Sequence, residues 1–292
     1  LLDIFSSFSY KTHFLVTFIL KVGSRLVFLM LHRFTEQGLV CITQPHHAII
    51  AGEFARAWGN EQFGNFAPFD EVCLGASLHD IGWVKWEQKP TLNPETGYPH
   101  KFTQLPTQVH IDMWSSAKQL ALPFGRYAAL LVSLHGTGLY ERFSNWRNSK
   151  EATTVVQDFL NKEVAFQQQL INILNQDEYF APYAAPSIIK RNQQLVATWD
   201  SLSIILCQGF AEKEQVAKVP TIDGETTLEL TLLENVGNCN HIAVSPWPFQ
   251  QSEVKLVYEG RLLPHTFDDE AAMQDYLNSN CWITLRTVLK PI

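Results

Sequence analysis

The sequence is short of the features that usually place a protein quickly. It has five cysteines, Cys41, Cys73, Cys207, Cys239 and Cys281, widely spaced and without a CxxC pair. An odd, scattered set argues against a disulfide framework and against a cysteine zinc site, and fits a reducing cytoplasm, the expected location. No basic stripe is present and the net charge is −7, so partnership with nucleic acid through phosphates is not expected. No uninterrupted apolar run approaches the roughly 20 residues of a membrane span. The nearest, FLVTFILKVGSRLVFLML at 14–31, is broken by Lys21 and Arg25, so no stable span is expected. Internal repeats and low-complexity segments are lacking as well, which sets solenoids and biased linkers aside.

What remains is a chain of 292 residues, 46% of them hydrophobic, enough for one sizeable core or a large and a small domain. Residues 1–29 read as a hydrophobic extension that precedes the domain proper, which starts near Met30. Residues 38–44, GLVCITQ, read as a short strand stopped by Pro45. Ile50, Phe54 and Trp58 recur at helical spacing within 46–58. A second helix is expected over 70–80 with Asp70 at its N-cap, and others over 109–121, 124–135, 150–175 and 187–210. Residues 88–108, with Pro90, Pro94, Gly97, Pro99 and Pro106, read as a long loop.

After Pro220 the character changes. LELTLLE, HIAVSP, VKLVYEG and WITLRTVL alternate like strands, with a short helix over 268–279. The expected fold is therefore mainly α. A helical domain occupies 30–215 and a small β-rich C-terminal region occupies 216–292, α+β overall.

Chemistry-bearing residues sit on the predicted helices. His47 lies near the start of the first, His79-Asp80 ends the second, His110 begins the third, His135 ends the fourth and Asp200 lies along the last. These helices are apolar enough to bundle, and a buried imidazole or carboxylate is costly unless it is paired or metal-bound. Adjacent helical residues lie about 100° apart, so a doublet can reach one ion from one edge. His46 competes with His47, but His47 shares a face with Ala51, Phe54 and Trp58. A nitrogen/oxygen ligand set without thiolate suits Fe, Mn, Mg or Zn.

HDIG after an apolar helix, with His47 upstream and Asp200 on a late helix, resembles the HD-domain superfamily of metal-dependent phosphohydrolases over roughly residues 38–210. Its H…HD…D pattern matches His47, His79, Asp80 and Asp200, and its binuclear branches carry two further histidines where His110 and His135 stand. The stretches ITQPHHA, HDIGWVKWE, ETGYPHKF, SLHGTGLY, TWDSLS and SPWPF also resemble an uncharacterised bacterial family within that superfamily, β-rich tail included.

The resemblance implies an HD-type helical bundle holding divalent metal ions, two per chain, on His47, His79, Asp80, His110, His135 and Asp200. It implies hydrolysis of a phosphorylated small molecule by a metal-activated water, with Asp80 as the bridging carboxylate. Where the pattern often has Lys, this chain has Trp83, which leaves Lys85 or Lys101 as the cation near substrate; Arg142 and Arg147 are further phosphate contacts. Two alternatives stand beside it. An HD-type diiron oxygenase would use the same six ligands, with Trp58, Trp83, Trp86 and Trp114 as walls. A metal-stabilised module would bind a ligand without turnover, with SPWPF at 245–249 either covering the bundle or marking an interface. Oligomeric state has no signature in the sequence.

Overall fold

The computed structural model describes residues 30–101 and 105–292. The chain opens with a hairpin, β1 (Leu31–Thr35) and β2 (Gly38–Ile42), and enters α1 (Gln44–Ala57). Thr43 caps α1 by accepting from the His46 amide, and Pro45 sits in the first turn where no amide is needed. Helix α2 (Phe69–Leu78) carries Asp70 and Glu71 in its first turn, where they favour the positive end of the helix dipole. Its N-cap is Pro68 rather than Asp70. A 3-10 turn (Ile81–Trp83) leads into α3 (Val84–Glu87). The proline-rich stretch expected to be a loop contains a small hairpin, β3 (Leu92–Asn93) and β4 (Tyr98–Pro99).

Four longer helices follow: α4 (Thr107–Ala121), α5 (Arg126–Arg142), α6 (Lys150–Asn175) and α7 (Pro186–Gln208). The remainder is β5 (Lys213–Pro220), β6 (Glu225–Val236), β7 (Cys239–Ser245), β8 (Val254–Leu263), α8 (Glu270–Asn278) and β9 (Trp282–Pro291). Among the described residues no helix is long and apolar enough to cross a membrane. The expected extension over 1–29 lies outside the described residues.

The expectation of an HD-type helical bundle with a small C-terminal β region is overturned. The strands form one curled seven-stranded sheet, a half-barrel, in the order β1-β2-β8-β9-β7-β6-β5. Its first two strands come from the start of the described chain. Leu39, Val40 and Cys41 pair with Leu263, Leu262 and Arg261, so the N-terminal hairpin extends a sheet built mostly of late strands. The reason is burial on both faces. Leu39, Val40, Cys41 and Ile42 are all within 1% of fully buried, which a strand achieves only inside a sheet covered on both sides. Such a run has no alternation to announce its partner.

Two glycines make the join close. Gly38, at φ +133°, sits where a Cβ would meet the Leu263 carbonyl oxygen at 2.3 Å, and a Cβ on Gly260 would lie 2.5 Å from Val40. The expected boundary at 215/216 falls inside β5.

Helices α1 and α7 pack on the sheet, and one apolar core runs from Phe54, Trp58 and Trp199 through Leu206 to Val216, Leu230 and Tyr258. The SPWPF segment covers the end of α1. Phe249 is buried against Phe54 and Trp58, and Asn60 Nδ2 donates to the Trp247 carbonyl at 2.7 Å.

Gly260→Val tests the join between β2 and β8. The added side chain enters space held by Val40, so unfolding free energy from urea titration should fall by about 1–3 kcal/mol. Unchanged stability would mean that β2 does not lie against β8.

Candidate metal centre

Five of the predicted ligands meet in the helical layer, each delivered by a different local device. His47 is the fourth residue of α1, four positions past the Thr43 cap, and is fully buried. Its neighbour His46 faces the other way and accepts from the Glu259 amide of β8 at 3.1 Å, which resolves the competition between them. His79 is the C-cap of α2, still in helical conformation, and Asp80 follows where the chain leaves the helix. Gly82 lets this turn press against α4, since a Cβ there would lie 2.4 Å from the Met113 carbonyl oxygen. His135 and Asp200 come from the apolar faces of α5 and α7, and both are 5% exposed.

The ligand atoms form two overlapping groups, His47–His79–Asp80 and His79–His135–Asp200, with atoms in each within 4.8 Å of one another. His79 belongs to both. His47 Nε2 lies 2.7 Å from Asp80 Oδ2. His79 Nε2 lies 3.6 Å from Asp80 Oδ2 and 3.4 Å from Asp200 Oδ1, and makes no well-formed hydrogen bond to either. His135 Nε2 stands 3.9 Å from Asp200 Oδ2.

Neighbouring groups orient the imidazoles. His79 Nδ1 donates to the Ala76 carbonyl at 2.7 Å, which leaves Nε2 to face the carboxylates. The Ser203 hydroxyl donates its one proton to the Asp200 carbonyl at 2.8 Å, so at 2.9 Å it accepts from His47 Nδ1. With both Nδ1 protons committed, two Nε2 atoms and two carboxylates converge in a buried space. Acceptors this close require a positive charge between them, a proton or a metal ion. The residues therefore fit a divalent cation, and the donor set by itself does not choose which one.

The electrostatics agree. Burial pulls the His79 pKa down, but Asp80 and Asp200 outweigh it and lift it to about 9. Burial pushes both carboxyls up, yet the surrounding imidazoles, His79 foremost, hold them below the ordinary range. His135 is held down to about 4, chiefly by burial.

The other predicted residues stand apart from the two groups. His110 lies on α4 with Nδ1 2.7 Å from the Tyr140 hydroxyl and its ring against Trp83, and burial lowers its pKa to about 4. Lys85 is exposed on α3, and Lys101 is half-buried at the end of the β3–β4 region, where it bears electrostatically on His32. Arg147 lies over the Trp146 ring. Trp83 and Trp114 pack beside His110 and His135, whereas Trp58 belongs to the core around Trp199.

Two supporting residues went unread in the sequence. Ser203, which fixes His47, lies three positions after Asp200, on the same helical face, and that spacing was its signal. Glu87 closes the HDIGWVKWE stretch and is 5% exposed. It accepts the Gln44 amide at 2.8 Å and so serves the first turn of α1, below His47. Nothing in its local pattern distinguishes it from a surface acid.

The family model described as Protein of unknown function (DUF3891) matches residues 30–265. The chain belongs to that family. The match runs from the first residue before β1 to just beyond β8, so the DUF3891 unit includes the N-terminal hairpin, every helix that carries a ligand and most of the sheet. No curated protein and no solved structure matches the chain.

Two outcomes are expected. Ser203→Ala frees His47 to rotate and should weaken metal affinity about 10–100-fold, read by competition with a chelator, with the fold intact by circular dichroism. Unaltered affinity would remove Ser203 from the site's support. Glu87 gives a pH signature. Burial, reinforced by Asp80 and opposed by the Gln44 amide, Arg261 and Thr43, raises its pKa to about 8. The folded chain thus keeps a proton that the unfolded chain loses above about pH 4.5. Its contribution is full below that pH and fades as pH rises through 8, so metal-free protein should lose a few kcal/mol at most across this window. Glu87→Gln should flatten that part of the stability profile; an unchanged slope would place its origin elsewhere.

Proposed function

We propose that the chain is a metal-dependent hydrolase with a ligand set of the HD type, acting on a phosphoester of a small molecule. The observation that carries this reading is the convergence of His47 Nε2 and His79 Nε2 on Asp80 and Asp200, each imidazole held by a committed Nδ1 proton. A divalent ion bound there supplies Lewis-acid polarisation of a phosphoryl oxygen and of the attacking water.

The residues of the chain do the rest. His79 stands in both overlapping groups, and with Nδ1 committed to the Ala76 carbonyl its single Nε2 lone pair serves one ion. Asp80 turns Oδ2 toward both His47 and His79 and completes the first group with them. His135 and Asp200 complete the second group from α5 and α7. Burial of every ligand excludes bulk water, so charge changing hands at the centre is poorly screened and strongly felt. Trp83, where the HD pattern often carries Lys, adds to that dry wall and contributes no cation. The charge on a bound phosphoester therefore falls to the ions and to groups further out.

The reading is tested by loading the protein separately with Fe, Mn, Mg and Zn, measuring bound metal, and screening phosphomonoesters and phosphodiesters. His79→Ala should lose most of the metal and all turnover, because His79 stands in both ligand groups, whereas His47→Ala and His135→Ala should each weaken binding and leave part of the metal bound. His46→Ala should leave the metal bound. Full metal retention in His79→Ala would refute the site. Turnover that requires O₂ would transfer the assignment to an oxygenase.

A further inference from the structure

A centre whose ligands are at most 5% exposed needs a route for its substrate. A cavity of about 180 Å³ between α5 and α7 reaches one of them. It is lined by His135, Gly138 and Arg142 from α5 and by Gln193, Gln194 and Ala197 from α7.

The helical spacing is informative. Gly138 and Arg142 lie three and seven positions beyond His135, and Ala197 and Gln193 lie three and seven before Asp200, so each helix presents to the cavity the stripe that carries its ligand. The floor is kept open by Gly138, where a Cβ would stand 3.2 Å from Gln193 Nε2. That amide is held by the Leu134 carbonyl at 2.9 Å, and Gln194 by Glu225 at 3.2 Å, so the wall is fixed. At the outer end Arg142 is exposed.

We propose that this groove is the substrate-binding cleft, and that Arg142 binds a second anionic group of the substrate about 10 Å from the metal centre, two helical turns along α5. The inference rests on the hydrolase reading for the chemistry at the metal end. It names the substrate class more narrowly: a small molecule with an anionic group, phosphate or carboxylate, distal to the scissile phosphoester. Arginine suits this role because its planar donors engage an oxyanion in pairs. Glu141 lies beside Arg142 at the rim, so a lone anion gains little there. The gain comes to a molecule already tethered at the metal end, where the second contact is intramolecular.

The test uses metal-loaded full-length protein and two probes, orthophosphate and a hexanediol bisphosphate whose ends span that distance. Wild type should bind the bisphosphate at least about tenfold more tightly than orthophosphate. Arg142→Gln should erase that advantage while orthophosphate affinity and metal content stay unchanged. Gly138→Leu, which fills the groove and so narrows the route to the centre, should weaken binding of both probes while metal content stays unchanged. No advantage in wild type, or a full advantage in Arg142→Gln, overturns the cleft. The metal-end reading is checked separately: orthophosphate binding no stronger with metal than after chelation would defeat phosphoester chemistry there, while the Arg142→Gln comparison with the bisphosphate would still report on the groove.

Discussion

Everything in the helical layer depends on holding two carboxylates, Asp80 and Asp200, beside three imidazoles in an interior that excludes water. Unpaired, each charge would be too expensive to bury. Together they are tolerable only if a cation is shared among them, and the layer is arranged to keep them together. Ser203 and the Ala76 carbonyl fix the rings, Glu87 satisfies the first turn of α1, and Gly82 lets the Asp80 turn approach α4. A second buried polar group lies behind α5. Glu163 of α6 takes an ion pair from Lys118 and a 2.6 Å hydrogen bond from Ser133, while Gln167 donates to Ser133. Ser133 lies two positions from His135, on nearly the opposite face of the helix, so this network anchors α5 from behind as His135 points to the centre.

The sheet takes part in this as well. Helix α1 presents His47 to the ligand groups and His46 to β8, so adjacent residues tie the two layers together. The SPWPF segment grips the far end of the same helix through Phe249, Gly59 and Asn60. A ligand-bearing helix held at one end by a strand and at the other by the segment that follows β7 has little freedom to adjust, and such rigidity preorganises a site before anything binds.

The site could be read from the sequence more fully than the fold. Apolar helices ending or beginning in His and Asp predict convergence, because each such residue has few other ways to be satisfied when buried. That logic located His47, His79, Asp80, His135 and Asp200. It placed His110 in the same set, whereas His110 packs beside Trp83 and Tyr140, outside both groups. The helices themselves were readable to within a few residues, except that α5 continues past Gly136 and Gly138 to Arg142. What failed was the sheet. Pairing between β2 and β8 is a relation between distant segments, and the uniform burial of 39–42 carries no periodicity from which a partner or a register follows. Glu87 and the β3–β4 hairpin were missed for a kindred reason, since their roles are set by what lies across from them.

The same distant pairing bears on how the protein comes into being. On the ribosome, the β1–β2 hairpin emerges about 210 residues ahead of β8, the strand that covers its edge. At about 5–20 residues per second, β2 waits on the order of ten seconds or more for β8, and an isolated hairpin is marginal in water. Through that interval four consecutive apolar residues, Leu39–Ile42, are left beside an open strand edge, a template for pairing with another chain. The helices that hold the ligands are made in between. They can gather before the sheet closes, and it is the late arrival of β8 and β9 that turns a helical intermediate with a loose hairpin into the finished molecule.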